Sequence, residues 1–252
     1  MRALILPAVA LLVAPAAVTA QSLAQRVDGA PANAVVRFSF PSKPGVCGDG
    51  ENIRITRDGG TSGRSDLREC VEGPVRLEIT RRDGRLADAD VRVGGHPRGV
   101  DVELGGVTAA AAVEYLLSDD ALRNACANAA QHMVFASTLA NAESWPALLR
   151  LARNRDHTAR TRKSAIFWLG NIAGERATGG LRSIAGNESE DVEVRKQAVF
   201  AIAQLRTEES VDVLIDIART NRDPEIRRNA FFWLGQSGNP RALAFFEEIL
   251  KG

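Results

Sequence analysis

The chain has 252 residues, 45% of them hydrophobic and 25% charged, a composition that excludes a collagen, a long coiled coil and a wholly disordered tail. The 32 basic and 31 acidic residues nearly cancel, which argues against a globally basic nucleic-acid binder and against a polybasic membrane-surface protein. The length is enough for one or two domains with a buried core.

Residues 1–20 read MRALILPAVALLVAPAAVTA. One charge at Arg2 precedes an apolar run, and Val18 and Ala20 occupy the −3 and −1 positions of a cleavage site, as in a secretory signal peptide. Pro7, Pro15 and the small-residue ending favour cleavage after Ala20 over a retained anchor. Gln21 at the next position is not the Cys of a lipoprotein. The expectation is a periplasmic or secreted chain with no stable membrane insertion after cleavage. In that oxidising setting two of the three cysteines are expected to pair. Cys47 in the turn-rich KPGVCGDG stretch and Cys70 just before a strand-like segment share one small β region, so Cys47–Cys70 is the predicted disulfide. Cys126, in an Ala-rich helical stretch, is expected to be a small buried apolar group. The chain has no CxxC, and His96, His132 and His157 lack ligand spacing, so neither metal nor cofactor is expected.

From Ala34 to about Gly106 the pattern alternates: Val36, Phe38 and Phe40, then Ile53 and Ile55, then Val75, Leu77 and Ile79. Asp83-Gly84 marks a hairpin. A two-residue loop would pair Ile79 with Asp88 and mix the faces. A three-residue loop, Arg82-Asp83-Gly84, pairs Ile79 with Ala87, Leu77 with Ala89 and Val75 with Val91 on one face, and is predicted. The stretch between Ile55 and Cys70 reads as an exposed loop.

From Val107 the texture becomes helical, with residues 107–144 as a connector or degenerate repeat. After Trp145 the chain repeats: Leu148, Leu181, Leu214 and Phe246; Leu151, Ile184, Ile217 and Ile249; Ala165, Ala198 and Ala230; Leu169, Ile202 and Leu234. Each unit is a short helix, a polar loop and a longer helix. Asp223-Pro224 is a strong helix start. One unit cannot bury its own apolar face, so stacking must make the core.

The segments TRKSAIFWLGNIAG (161–174), VRKQAVFAIAQL (194–205) and IRRNAFFWLGQSGNPRAL (226–243) resemble the second helices of HEAT repeats. They are most similar to the short bacterial kind found in phycobilisome-lyase-like proteins. The resemblance covers about 145–252 and implies a right-handed all-α solenoid whose second helices line its concave surface. The expected class is therefore α+β, a small β domain over 34–106 followed by HEAT-like repeats over 145–252.

On a helical wheel Trp168, Leu169 and Ile172 fall within about 60° of Ala165 and form the expected core stripe, while Phe167 lies about 200° away. Phe200 and Phe232 repeat that placement. One turn earlier on the same face come Lys163, Lys196 and Arg228; one turn later come Asn171, Gln204 and Gln236. Stacking would align columns of cation, phenylalanine and amide, which suits a protein or peptide partner. The alternative is that the Phe column is buried, against the β half or in a homodimer, because Ile166, Val199 and Phe231 widen the apolar surface. The basic run from Arg150 to Lys163 reads as a solvated face rather than a nucleic-acid site.

Enzyme signatures such as G-x-S-x-G, a phosphate-binding loop or H-E-x-x-H do not occur. The sequence reading is thus an exported, non-catalytic interaction scaffold. A lyase-like or other accessory enzyme of the envelope is the alternative.

Overall fold

The computed structural model describes residues 21–55, 70–205 and 207–251. Residues 1–20, expected to be a signal peptide, and residues 56–69, expected to be an exposed loop, lie outside them. The chain is α+β: the described residues of the first half hold seven strands, and a succession of helices follows.

A short helix α1 (Leu23–Asp28), which the alternation argument did not foresee, opens the described chain with a capping box between Ser22 and Gln25. Strands β1 (Ala34–Phe40), β5 (Val75–Arg82), β6 (Arg85–Arg92) and β7 (Val102–Gly106) form one sheet in the order β6-β5-β1-β7. β1 runs antiparallel to β5 and parallel to β7. The predicted alternation holds in this sheet, where Val36, Phe38, Leu77 and Ile79 are all fully buried, but not at Ile53 and Ile55, which are half-buried and 39% exposed. Arg81 shares that inward face. Its guanidinium donates to the Val27 and Asp28 carbonyls at 2.8 and 3.1 Å, and to Ala30, so a charge among apolar side chains closes the end of α1.

The opposite face of the sheet is polar and largely covered. Glu78, 7% exposed, lies between Arg37 at 3.3 Å and Arg92 at 3.4 Å. A second, smaller sheet of β2 (Val46–Gly48), β3 (Ile53–Ile55) and β4 (Val71–Glu72) has the order β3-β2-β4. Cys47 and Cys70 are disulfide-bonded with their Cα atoms 5.3 Å apart, as predicted. This small sheet approaches the main one through backbone: a Cβ at Gly48 would lie 2.5 Å from the Val93 oxygen.

The hairpin corrects the sequence reading. Asp83 and Gly84 have φ of 50° and 76°, and Arg82 pairs with Arg85, so the loop has two residues, as Asp-Gly prefers. Parity is restored by a bulge at Ala87, between the Thr80–Asp88 and Arg81–Leu86 pairs. Ile79 therefore faces Ala89 and Leu77 faces Val91, not the pairs expected. The bulge also turns Leu86 into the core, where it is 1% exposed.

Helices α2 (Ala109–Leu116), α3 (Asp119–Asn124) and α4 (Ala127–Leu139) follow. The α3–α4 junction covers the free edge of β6. Cys126 donates its backbone N–H to Leu86 O and its thiol to Ala87 O, each at 2.8 Å, and His132 Nδ1 meets Ala89 O. Cys126 is thus an exposed N-cap of α4 and not the buried apolar group expected, because its sulfur is needed at the strand edge. Beyond α4 come α5 (Trp145–Arg153) with α6 (Ala159–Ile172), α7 (Thr178–Gly186) with α8 (Val192–Leu205), α9 (Glu208–Thr220) with α10 (Pro224–Gln236), and α11 (Pro240–Lys251). Each short helix packs on its long partner, and α4, α6, α8 and α10 pack in succession. One cluster of buried residues runs from Leu23 to Phe245, through sheet and helices alike. Among the described residues no helix is long and apolar enough to cross a membrane.

Candidate functional site

The long helices are positioned by a device that recurs with the repeat. Asn154, Asn187 and Asn221 each accept, through Oδ1, the N–H two residues on, at 3.0, 3.2 and 3.1 Å. The turn so formed presents an acid to the preceding long helix. Arg162 on α6 makes a two-pronged pair with Glu190, at 2.6 and 3.0 Å, and Arg195 on α8 reaches Asp223 at 2.8 Å. Both arginines are about 5% exposed. At the first turn the pattern changes partners: His157, in register with Glu190 and Asp223, meets Asp119 Oδ1 at 2.7 Å and ties α3 to the repeats. The Arg162 hydrogen bonds hold the Glu190 carboxyl below its usual range, and the His157 bond does the same for Asp119. These residues escaped the sequence reading, although Arg162 and Arg195 show the same 33-residue offset as the apolar columns.

This scaffold turns Phe167, Phe200 and Phe232 outward. Phe167 is 37% and Phe232 55% exposed, and Phe200 is half-buried between neighbours, so the column is not a core stripe. Ile166 and Val199, beside it, are fully buried, and Phe231 stacks on Phe245 at 5.6 Å. The core stripe is therefore rotated toward Ile166 and Gly170, and Trp168 lies at its margin rather than within it. A Cβ at Gly170 would fall 2.8 Å from Ala201 O, which is how closely α6 and α8 approach.

Trp168 instead joins the phenylalanines in a continuous run of rings. Phe135 on α4 stacks on Trp168 at 5.0 Å, and Trp168 meets Phe167 edge-on at 5.1 Å. Phe167 stacks with Phe200 at 6.2 Å, Phe200 meets Trp233 at 4.8 Å, and Trp233 meets Phe232 edge-on at 4.9 Å. The equivalent of both tryptophans on α8 is Ala201, and that small residue leaves room for Phe200 to lean on Trp233.

The flanking columns are less uniform than the spacing implied. Lys196 is held by Glu193 at 3.0 Å and by Glu225, and the Glu225 bond foremost keeps its ammonium protonated. Lys163 is half-buried and Arg228 exposed, and among the described residues neither has an ion-pair partner. Asn171 donates to Phe167 O at 2.7 Å, which turns it back on its own helix. Gln204 and Gln236 line a cavity of about 490 Å³ together with Trp233, Val211 and Leu214. A second cavity, of about 560 Å³, lies between Arg160, Lys163 and Phe167. The basic run is dispersed: Arg162 is buried against Glu190, Arg160 bonds Gln131, and Arg150 and Arg153 sit in the last turn of α5. His96 is exposed in the loop after β6.

Residues 180–252 match the family model for HEAT repeats, a span covering α7 to α11. The α5–α6 pair lies before the matched span and repeats the same geometry. No curated protein matches the chain.

Proposed function

We propose that this HEAT-repeat chain is an exported, non-catalytic scaffold that binds a protein partner along the face of its long helices. The observation that carries the reading is the continuous run of rings from Phe135 to Phe232, of which Phe167 and Phe232 are exposed and the others half-buried. Two exposed rings joined through half-buried ones across four long helices, with Lys163, Arg228, Gln204 and Gln236 beside them, make an aromatic and polar surface that suits a protein partner. HEAT repeats generally mediate protein interactions, and by the HEAT likeness this face is the concave one. Export is supported by the leader sequence together with the Cys47–Cys70 disulfide, a bond that persists in oxidising compartments.

The test compares the wild-type chain with a Phe167→Ala, Phe200→Ala, Phe232→Ala variant in co-purification from envelope extracts, with thermal unfolding recorded for both. A partner lost by a variant that melts within a few degrees of wild type supports the scaffold reading. Undiminished capture by the variant overturns it, and so does a variant that melts far lower, since the rings would then be serving the core.

A further inference from the structure

The two cavities on the long-helix face differ in chemistry, and the difference specifies a ligand. At the α4–α6 end the cavity is cationic. Arg160 contacts only a neutral oxygen, Gln131 Oε1, at 3.0 Å, and among the described residues neither Arg160 nor Lys163 has a carboxylate partner. Two cations and an aromatic ring that converge on a cavity without a counter-charge favour a carboxylate. At the α8–α10 end the described residues that line the cavity are uncharged. The Gln204 and Gln236 amides make no hydrogen bond among the described residues, and the indole Nε1 of Trp233 is buried without an acceptor. Unpaired amides and an indole N–H beside apolar walls suit an apolar or amide side chain with carbonyl oxygens beside it.

The rings bridge the two ends: Phe167 lines the first cavity and Trp233 the second, with Phe200 between them at 6.2 and 4.8 Å. Lys163 lies one turn before Phe167 and Gln204 one turn after Phe200, so these anchors stand about 12 Å apart along the helices and a helix spacing of about 8–10 Å apart across them. An extended chain advances about 3.3 Å per residue, so about four to six residues cover that span.

We infer that the ligand of this face is an extended peptide segment with an Asp or Glu that meets Arg160 and Lys163, and, about four to six residues away, an uncharged side chain seated between Gln204, Trp233 and Gln236. The aromatic run lies under the residues between. This inference rests on the scaffold reading and names the chemistry of its partner.

The test selects a random peptide display library on the immobilised full chain and measures the enriched peptides, synthesised and fluorescently labelled, by anisotropy. The expected result is enrichment of an acidic residue about four to six positions from an uncharged one. Affinity should fall at least tenfold with Lys163→Glu, recover when the peptide's acidic residue is changed to Lys, and fall at least fivefold with Gln204→Ala plus Gln236→Ala. Circular dichroism and thermal unfolding confirm that each variant is folded. Peptides that bind through Phe167 and Phe232 but lack an acidic residue, or are indifferent to Lys163→Glu, overturn this inference and leave the scaffold reading standing. Enriched peptides indifferent to Phe167→Ala and Phe232→Ala, or no enrichment at all, overturn both.

Discussion

Gly170 on α6 lies against Ala201 on α8 so closely that a Cβ at Gly170 would meet the Ala201 oxygen at 2.8 Å and its Cα at 2.9 Å. The equivalent glycine of the last long helix, Gly235, has nothing within 4 Å of the same position. Two glycines with one place in the repeat therefore serve different ends. Gly170→Ala should destabilise the chain by about 1–3 kcal/mol, because the backbone of α8 must move. Gly235→Ala should stabilise it by a few tenths to about 1 kcal/mol, through helix propensity alone. Denaturant unfolding of the two variants checks both signs.

The ion pairs between repeats should be unequal in the same way. Arg162 and Glu190 have side chains 7% and 6% exposed, whereas those of Arg182 and Asp216 are 55% and 42% exposed. Glu190→Gln leaves a buried guanidinium without its counter-charge and should cost about 3 kcal/mol. Asp216→Asn, at a solvated pair, should cost well under about 1 kcal/mol. A single thermal-melt series including both substitutions tests the contrast.

Acid should remove the stability that these ties contribute. The Glu190 and Asp119 carboxyls are held below their ordinary values of 4.5 and 3.8, so the folded chain binds their protons less readily than the unfolded one. Their stabilising contribution is complete above those ordinary values and is lost as the pH falls through the lowered ones. Stability plotted from pH 6 to pH 2 should fall steeply below about pH 4.5, and Glu190→Gln should flatten that fall.

The Cys47–Cys70 bond joins residues separated by 23 positions in a small sheet of three short strands. By the loop-entropy account it should contribute about 3 kcal/mol. Thermal unfolding with and without reductant, on wild type and on Cys47→Ala, Cys70→Ala, measures it. The double variant should be insensitive to reductant.

Leu86 distinguishes the observed hairpin register from the one expected from alternation. In the observed register it is 1% exposed, and Leu86→Ala should cost about 3 kcal/mol. With a three-residue loop the same side chain would point to solvent, and its truncation would cost almost nothing. Chemical denaturation of this one variant decides between them.

The period of about 33 residues was legible in the sequence because stacked repeats bury the same positions in every copy; Leu148, Leu181 and Leu214 are all within 1% of full burial. Alternation in Val36, Phe38 and Phe40 was legible for the same reason, since one sheet face is buried along its whole length. The Cys47–Cys70 pairing followed from two cysteines within one short β region. These features depend on local periodicity, which a single chain carries in full.

Other features depended on what each residue met across the fold. The bulge at Ala87 reconciles a turn preference at Asp83-Gly84 with a core requirement at Leu86, and neither could settle the register alone. Cys126 looked apolar in its Ala-rich context, yet α4 lies along the edge of β6 and uses its thiol at Ala87 O. The wheel placed Phe167 opposite Ala165 but could not show that Trp168 leaves the core to stack on Phe135. Nor could it show that Lys196 is claimed by Glu225 while Lys163 has no carboxylate partner among the described residues. Periodicity fixes which face of a helix a residue occupies. The neighbour that face meets is a property of packing between segments far apart in the chain, and it decided which columns are core, which are neutralised and which remain open to a partner.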